Sequence, residues 1–270
     1  MKSLVLAGLA LPLLAAADCG SLQQLGGHEG QVLPIAISAP AEPARGISLV
    51  LLAGGHGHVG LDATGCATQL KGNALLRARP LFQARGYEVV TLDAPADYRG
   101  DEGLAGFRIE PAHAEDIGRV VRWLRGQGAR EVWLLGTSRG SISAVNAAAR
   151  LAGEAAPDGL VLSSVLSVGA SVTARRSWAR QHVFDLPLER IRQPTLLLGH
   201  VDDSCPRSPP SGQARVAQRI GAAARTQLIS GGAGPVSGPD ACEGRSPHGF
   251  WGQDAEMVDA TLAFIESRQR

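Results

Sequence analysis

Short apolar runs alternate with longer amphipathic stretches along almost the whole chain. The runs at 47–53, 87–92, 132–135, 159–163, 195–199 and 226–229 are mostly apolar and are bounded by Gly, Pro or polar residues. Runs of this length predict strands buried on both faces. A weaker alternation at 31–38 predicts an edge strand, and the Pro-containing stretch 39–46 a turn. Between the strands lie segments with helical spacing. Leu75, Leu76, Leu81 and Phe82 share a face of 69–85, where Pro80 is expected to kink or restart the helix. Ile117, Val120, Val121 and Leu124 share a face of 111–126. The Ala-rich 142–151, together with 213–220 and 255–267, completes the set. The segments 93–107, 164–191 and the Gly/Pro-rich 231–245 predict loops. Strand and helix alternate throughout, which predicts an α/β fold with a mostly parallel central sheet covered by helices on both faces. The loops that follow the strands then gather at one sheet edge.

The most informative stretch is 131–151. A strand runs into Gly136-Thr137-Ser138-Arg139-Gly140, and a helix follows, here expected to start at the serine. A serine on a sharp strand-to-helix turn projects its hydroxyl from the sheet, and flanking glycines allow the tight backbone. The helix N-terminus favours negative charge there. A serine needs a base to take its proton, and the base needs an orienting acid. The strand 195–199 runs into His200-Val201-Asp202-Asp203, and Ser246-Pro247-His248-Gly249-Phe250 precedes the last helix. The order is therefore Ser, Asp, His, each on a loop at the same edge.

With these residues in place the chain resembles an α/β-hydrolase-fold serine hydrolase of the esterase/lipase type, over nearly its whole length after residue 17. The elbow and the chain order Ser, Asp, His carry the likeness. The resemblance implies Ser138 as nucleophile, His248 as general base and Asp203 as orienting acid, with Asp202 as the alternative. The family strand usually reads like LLLHG, whereas this chain has LLLGH, and the position count favours Asp203. The resemblance also implies an oxyanion hole made by the N–H of Arg139 and one from the loop 54–60, from His56 or else Gly55. The segment 164–191 is too short for a large cap domain, and its Arg175 and Arg176, like Arg139, read first as solvated surface charges and otherwise as groups that attract an acidic acyl or alcohol group. His28, His113 and His182 read as surface or loop residues.

Composition adds the cellular setting. The chain has 270 residues and a net charge of +1, which implies neither nucleic acid nor an anionic membrane surface as partner. Lys2, an apolar run from Leu4 to Leu14 and Ala15-Ala16-Ala17 predict a signal peptide over 1–17. A single α/β-hydrolase domain at 18–270 follows, secreted or periplasmic, monomeric and without stable membrane association. Four cysteines, Cys19, Cys66, Cys205 and Cys242, suit an oxidising compartment. If the loops of Asp203 and His248 converge, Cys205 comes close to Cys242, which leaves Cys19 to pair with Cys66. No cofactor and no metal are expected, and the partner is a small ester-like molecule. Two other classes are weighed. Gly55 to Gly60 fits G-x-G-x-x-G, the mark of a dinucleotide-binding oxidoreductase, but no helix opens inside it and no acidic residue follows at the usual distance. His56-x-His58 suggests a metal hydrolase, but Gly60 stands where an aspartate is needed. A non-catalytic binding protein on the same scaffold is the remaining alternative.

Overall fold

The apolar runs assemble into one eight-stranded sheet. The computed structural model describes residues 19–41 and 43–269, so the expected leader at 1–17 lies outside the described residues. The strands are β1 (Ser21–Gly26), β2 (Val32–Ser38), β3 (Ile47–Leu52), β4 (Glu88–Leu92), β5 (Glu131–Thr137), β6 (Gly159–Ser163), β7 (Thr195–His200) and β8 (Ala224–Ile229). Their spatial order is β1-β2-β4-β3-β5-β6-β7-β8. β1 pairs antiparallel with β2 and β2 antiparallel with β4, and every other pairing is parallel.

One strand expectation needs correction, and one strand was not expected. β2 is not the edge, because β1 lies outside it. β1 escapes a periodicity reading because its sequence SLQQLG buries no residue and offers no apolar face. Its role is to cap the backbone groups that β2 would otherwise leave unpaired.

The parallel strands are apolar on both faces because helices cover both. Alternate residues divide the core: Leu49, Leu51, Trp133 and Leu135 pack with α1 (Ala74–Ala84) and α5 (Asp254–Glu266). Val50, Leu52, Val132 and Leu134 pack with α2 (Pro111–Gly126), α3 (Gly140–Arg150) and α4 (Pro210–Ile220). The period of two along each strand therefore sorts side chains between two helical layers. α1 begins at Ala74, capped by the Asn73 side chain accepting from the Leu75 N–H at 3.1 Å, rather than at 69. It also runs through Pro80 as one helix instead of restarting there. Between β6 and β7 the chain forms only three short 3₁₀ turns.

Two disulfides are present. Cys19–Cys66 ties the chain ahead of β1 to the loop after β3, and Cys205–Cys242 joins the turn after β7 to the loop before α5. The second spans 37 residues, for which the chain-entropy model gives about 4 kcal/mol before any strain. The paired change Cys205→Ala/Cys242→Ala is therefore expected to lower unfolding stability by about 2–4 kcal/mol in urea titrations. An unchanged midpoint would show that this crosslink contributes nothing to the folded state.

Candidate active site

The turn after β5 is built by close approach. A Cβ on Gly140 would lie 1.9 Å from the Leu52 carbonyl oxygen, and one on Gly136 would lie 2.6 Å from the Gly140 carbonyl oxygen. Neither position has room for a side chain, so the turn can close only with glycine at both. Ser138 sits between them at φ +50°, a left-handed conformation that costs a non-glycine residue about 1–3 kcal/mol. The first turn after it is closed by the Ser141 N–H, which donates to the Ser138 carbonyl at 3.0 Å. The helix itself opens at Gly140, two residues later than the sequence suggested, and Ser138 stands just ahead of its N-terminus.

The turn after β7 brings Asp203, not Asp202, to His248. His248 Nδ1 lies 3.0 Å from Asp203 Oδ2, and both residues are buried. The other carboxylate oxygen of Asp203 accepts the Cys205 N–H at 2.9 Å. Asp202 turns elsewhere: its N–H donates to His200 Nδ1 at 3.0 Å. The loop of His248 is held from two sides. Ser164, buried just after β6, donates its hydroxyl to the His248 carbonyl at 2.7 Å. Arg77 on α1 donates to the carbonyls of Gly244 at 3.0 Å and Gly249 at 2.7 Å, and it pairs with Asp254 at 2.8 Å. The sequence marks neither residue, since a lone Ser or Arg reveals its partner only through tertiary contact. His248 Nε2 is buried without a hydrogen-bond partner. His248 lines the same cavity of about 370 Å³ as Ser138.

Asp203, Cys205 and His248 also place three metal-type donors within 4.8 Å of one another. The Cys205 sulfur is bound to Cys242, however, and the carboxylate and imidazole already face each other. A sulfur in a disulfide is no thiolate ligand, so the set fits an acid–base pair and not a metal centre.

Beside the elbow lies the loop after β3. Gly54 and Gly55 line the cavity together with Arg139. A Cβ on Gly54 would sit 3.1 Å from the Ser138 Cβ and 3.7 Å from the Arg139 nitrogen. Gly54 thus packs directly against the nucleophile turn. It was missed by the sequence reading, though its place two residues beyond the end of β3 is the signal that could have found it. His56 does not line the cavity. Its carbonyl accepts the Leu104 N–H at 2.8 Å, and its Nδ1 accepts the His58 N–H at 3.2 Å. Burial, followed by His58 and Arg108, lowers the His56 pKa below its ordinary value.

The rest of this loop is spent on one carboxylate. Buried Asp93 accepts the N–H groups of Val59 at 2.7 Å, Gly60 at 3.3 Å and Leu61 at 3.0 Å, and lies 2.9 Å from His58 Nδ1. Backbone N–H groups that would cradle a diphosphate are therefore already occupied. The same contact engages one of the two histidines of the His56-x-His58 pair.

Beneath the loop lies Arg108, only 1 % exposed. It donates to the carbonyls of Ala53 at 3.1 Å and Gly55 at 3.4 Å, and to the Ser143 hydroxyl at 2.8 Å. A trans peptide points its N–H opposite its carbonyl, so this arginine fixes the orientation of the two peptide units that it holds. Burial, and then the nearby charge of Arg139, lowers its pKa well below the ordinary value.

Two histidines expected at the surface or in loops are buried. His28 bonds Asp116 at 2.7 Å through Nδ1 and Asp97 at 3.0 Å through Nε2. Burial alone would lower its pKa, but the two carboxylates outweigh it and the pKa is raised. His113, on α2, has neither ring nitrogen hydrogen-bonded and packs 5.1 Å from the Phe107 ring. Burial, then Arg108 and His28, push its pKa down to about 3. Protonation of His113 therefore favours the unfolded chain, so its contribution is intact above the ordinary value of 6.5 and is lost as pH falls from there towards 3. His28 acts in the opposite sense: its contribution is present at low pH and is lost as pH rises through its raised pKa. Relative to wild type, His113→Leu is expected to make the acid-side loss of stability between pH 6.5 and 5 shallower by roughly 1–2 kcal/mol. Urea midpoints measured across that range check it, and parallel profiles for the two proteins would refute it.

Comparison with known proteins bears on the fold. No protein-family model matches the chain, and no curated protein matches it. Solved structures do. An α/β serine hydrolase homologue from Coxiella burnetii is similar at TM-score 0.59 and 15% identity, over 91% of this chain and 97% of that one. An esterase from Exiguobacterium antarcticum is similar at TM-score 0.60 and 14% identity, over 92% and 99%. A Xanthomonas campestris protein described as an α/β serine hydrolase without a lid is similar at TM-score 0.53 and 17% identity, over 78% and 83%. At these identities the likeness is one of fold, and the chain has the α/β-hydrolase fold.

Proposed function

We propose that the protein is an exported serine hydrolase that cleaves an ester-type bond, or an amide bond, through an acyl-enzyme. The observation that carries this is the 3.0 Å contact of His248 Nδ1 with Asp203, in the cavity that the strained Ser138 also lines. In this reading His248 Nε2 takes the proton of the Ser138 hydroxyl as Oγ attacks the substrate carbonyl carbon. The negative charge that develops on the carbonyl oxygen is met by the N–H of Arg139 and one from the Gly54–Gly55 turn, beside the N-terminus of α3. The C–O bond to the alcohol breaks, and the alcohol leaves with the proton held by His248. Water then attacks the acyl-enzyme with His248 again as base, releasing the acid and restoring Ser138. Asp203 holds the imidazole in the tautomer that leaves Nε2 ready to accept a proton.

Esterases among the similar structures support the choice of ester over amide. A panel of short and long p-nitrophenyl esters and aminoacyl p-nitroanilides tests it. Ester turnover unaffected by EDTA is the expected result. Activity abolished by chelation and restored by zinc would replace it with a metal mechanism. Two disulfides support a home in an oxidising compartment, with 1–17 as the leader and 18–270 as the catalytic domain. N-terminal sequencing of the protein from fractionated cells should begin near Asp18. Intact protein retained in the cytoplasm would rule export out.

A further inference from the structure

The cavity carries more positive charge than the proposed chemistry uses. Arg139 and Arg207 both line it. Arg139 lays its guanidinium 4.3 Å over the Trp178 ring and reaches only the Ala105 carbonyl, at 3.4 Å. Arg207 donates to the carbonyls of Val168 and Ala179, each at 2.7 Å. Among the described residues neither arginine has a carboxylate within salt-bridge distance, whereas Arg77, Arg125 and Arg176 each have one. Glu102, which accepts from the indole N–H of the same Trp178 at 2.9 Å, is engaged by Arg176 at 2.9 Å. The cavity's own lining includes Glu243, which is exposed, while Asp203 is committed to His248. Burial first, and then the charge of Arg207, lower the Arg139 pKa to about 10, so its guanidinium remains charged at neutral pH. Among the described residues the buried Arg108, beneath the loop after β3, also has no carboxylate within salt-bridge distance.

Positive charges held by carbonyls and an aromatic face, on two residues that line one cavity, are complementary to an anion. Arg175 is exposed and Arg176 is neutralised by Glu102, so the arginines of the loop after β6 do not supply this feature. We propose that the substrate of the Ser138 site is an ester carrying a negatively charged group a few bonds from the scissile carbonyl, bound by Arg139 and Arg207. This rests on the serine-hydrolase reading and narrows it. A carboxylate gains two-pronged hydrogen bonds from a planar guanidinium, which a neutral ester of the same shape cannot accept as strongly.

Two matched pairs of esters test the inference and tell the acyl side from the alcohol side. The first is mono-p-nitrophenyl adipate against methyl p-nitrophenyl adipate, and the second is 4-acetoxybenzoate against its methyl ester. In at least one pair kcat/KM should be at least tenfold higher for the anionic member at low ionic strength, and the ratio should shrink as salt is added. In Arg139→Gln/Arg207→Gln the ratio should fall to near one, and each single change should lower it if the double variant does not fold. Binding supplies a readout that needs no turnover. Calorimetry on Ser138→Ala should find the favoured anion bound at least tenfold more tightly than its neutral partner. Equal binding and a ratio at or below one in both pairs overturn the inference, while Ser138-dependent hydrolysis of the neutral esters would leave the hydrolase reading standing. Tight anion binding to Ser138→Ala with no ester hydrolysed by the wild type would keep the arginine pocket and remove the hydrolase.

Discussion

Ser138→Ala should reduce ester hydrolysis by about 10⁴–10⁶ in kcat, because removing the nucleophile of a triad leaves only the contribution of binding and the oxyanion hole. A fluorophosphonate should label the wild type at one site per chain and leave the variant unlabelled. The expectation rests on local architecture. Ser138 is held at φ +50° by a turn in which Gly136 and Gly140 have no room for a Cβ. Such strain persists only where the surroundings enforce it, and here they set the residue at the head of α3, in the cavity that His248 also lines. Relief of that strain gives a second, independent readout. Ser138→Gly should keep the fold and gain stability by up to about 1 kcal/mol, since glycine adopts positive φ without cost, yet it should be as inactive as the alanine variant. Labelling that survives in Ser138→Ala would move the nucleophile elsewhere and with it the whole mechanism.

What the sequence carried about this site is what local pattern can carry. The elbow was legible because its glycines, its strand and its helix are neighbours in the chain. The parallel sheet was legible because strands buried on both faces are mostly apolar at consecutive positions, as in β3, where every residue is buried and all but Ser48 are apolar. β1 was not, because an exposed edge strand such as SLQQLG has no face to bury. Arg108 was not, because a charged residue is taken as exposed unless its partners are known, and Ala53, Gly55 and Ser143 come from distant segments. His113 was not, because a polar residue buried against Phe107 with neither ring nitrogen hydrogen-bonded leaves no local pattern. The same holds for Ser164, whose single task of holding the His248 carbonyl spans 84 positions in the chain. Arg207 lies in a turn of ordinary polar composition, and only the folding of 164–191 against that turn gives it Val168 and Ala179 as acceptors.

Asp203→Asn should cost up to about 10⁴ in kcat, while Asp202→Asn should cost less than tenfold. The two residues are adjacent, alike in chemistry and on the same turn, so only their partners separate them. Asp203 is buried, with one carboxylate oxygen 3.0 Å from His248 Nδ1 and the other on the Cys205 N–H at 2.9 Å. In that geometry Nδ1 must carry the proton, and Nε2 is left as the acceptor. An asparagine at 203 can turn its NH₂ towards Nδ1, which then acts as acceptor and moves the proton to Nε2. The imidazole is then in the tautomer that cannot take a proton from Ser138, although its position has scarcely changed. Asp202 is only partly buried and engages the turn through its backbone N–H on His200, which the change to Asn retains. The loss at Asp203→Asn should lie in kcat with KM nearly unchanged, because orientation of the base matters in the transition state and little in the bound substrate. Fluorophosphonate labelling of Asp203→Asn should be slowed as well, since that reaction needs the same proton transfer. A larger loss at Asp202→Asn would reverse the assignment, and small losses at both would show that this turn does not supply the acid.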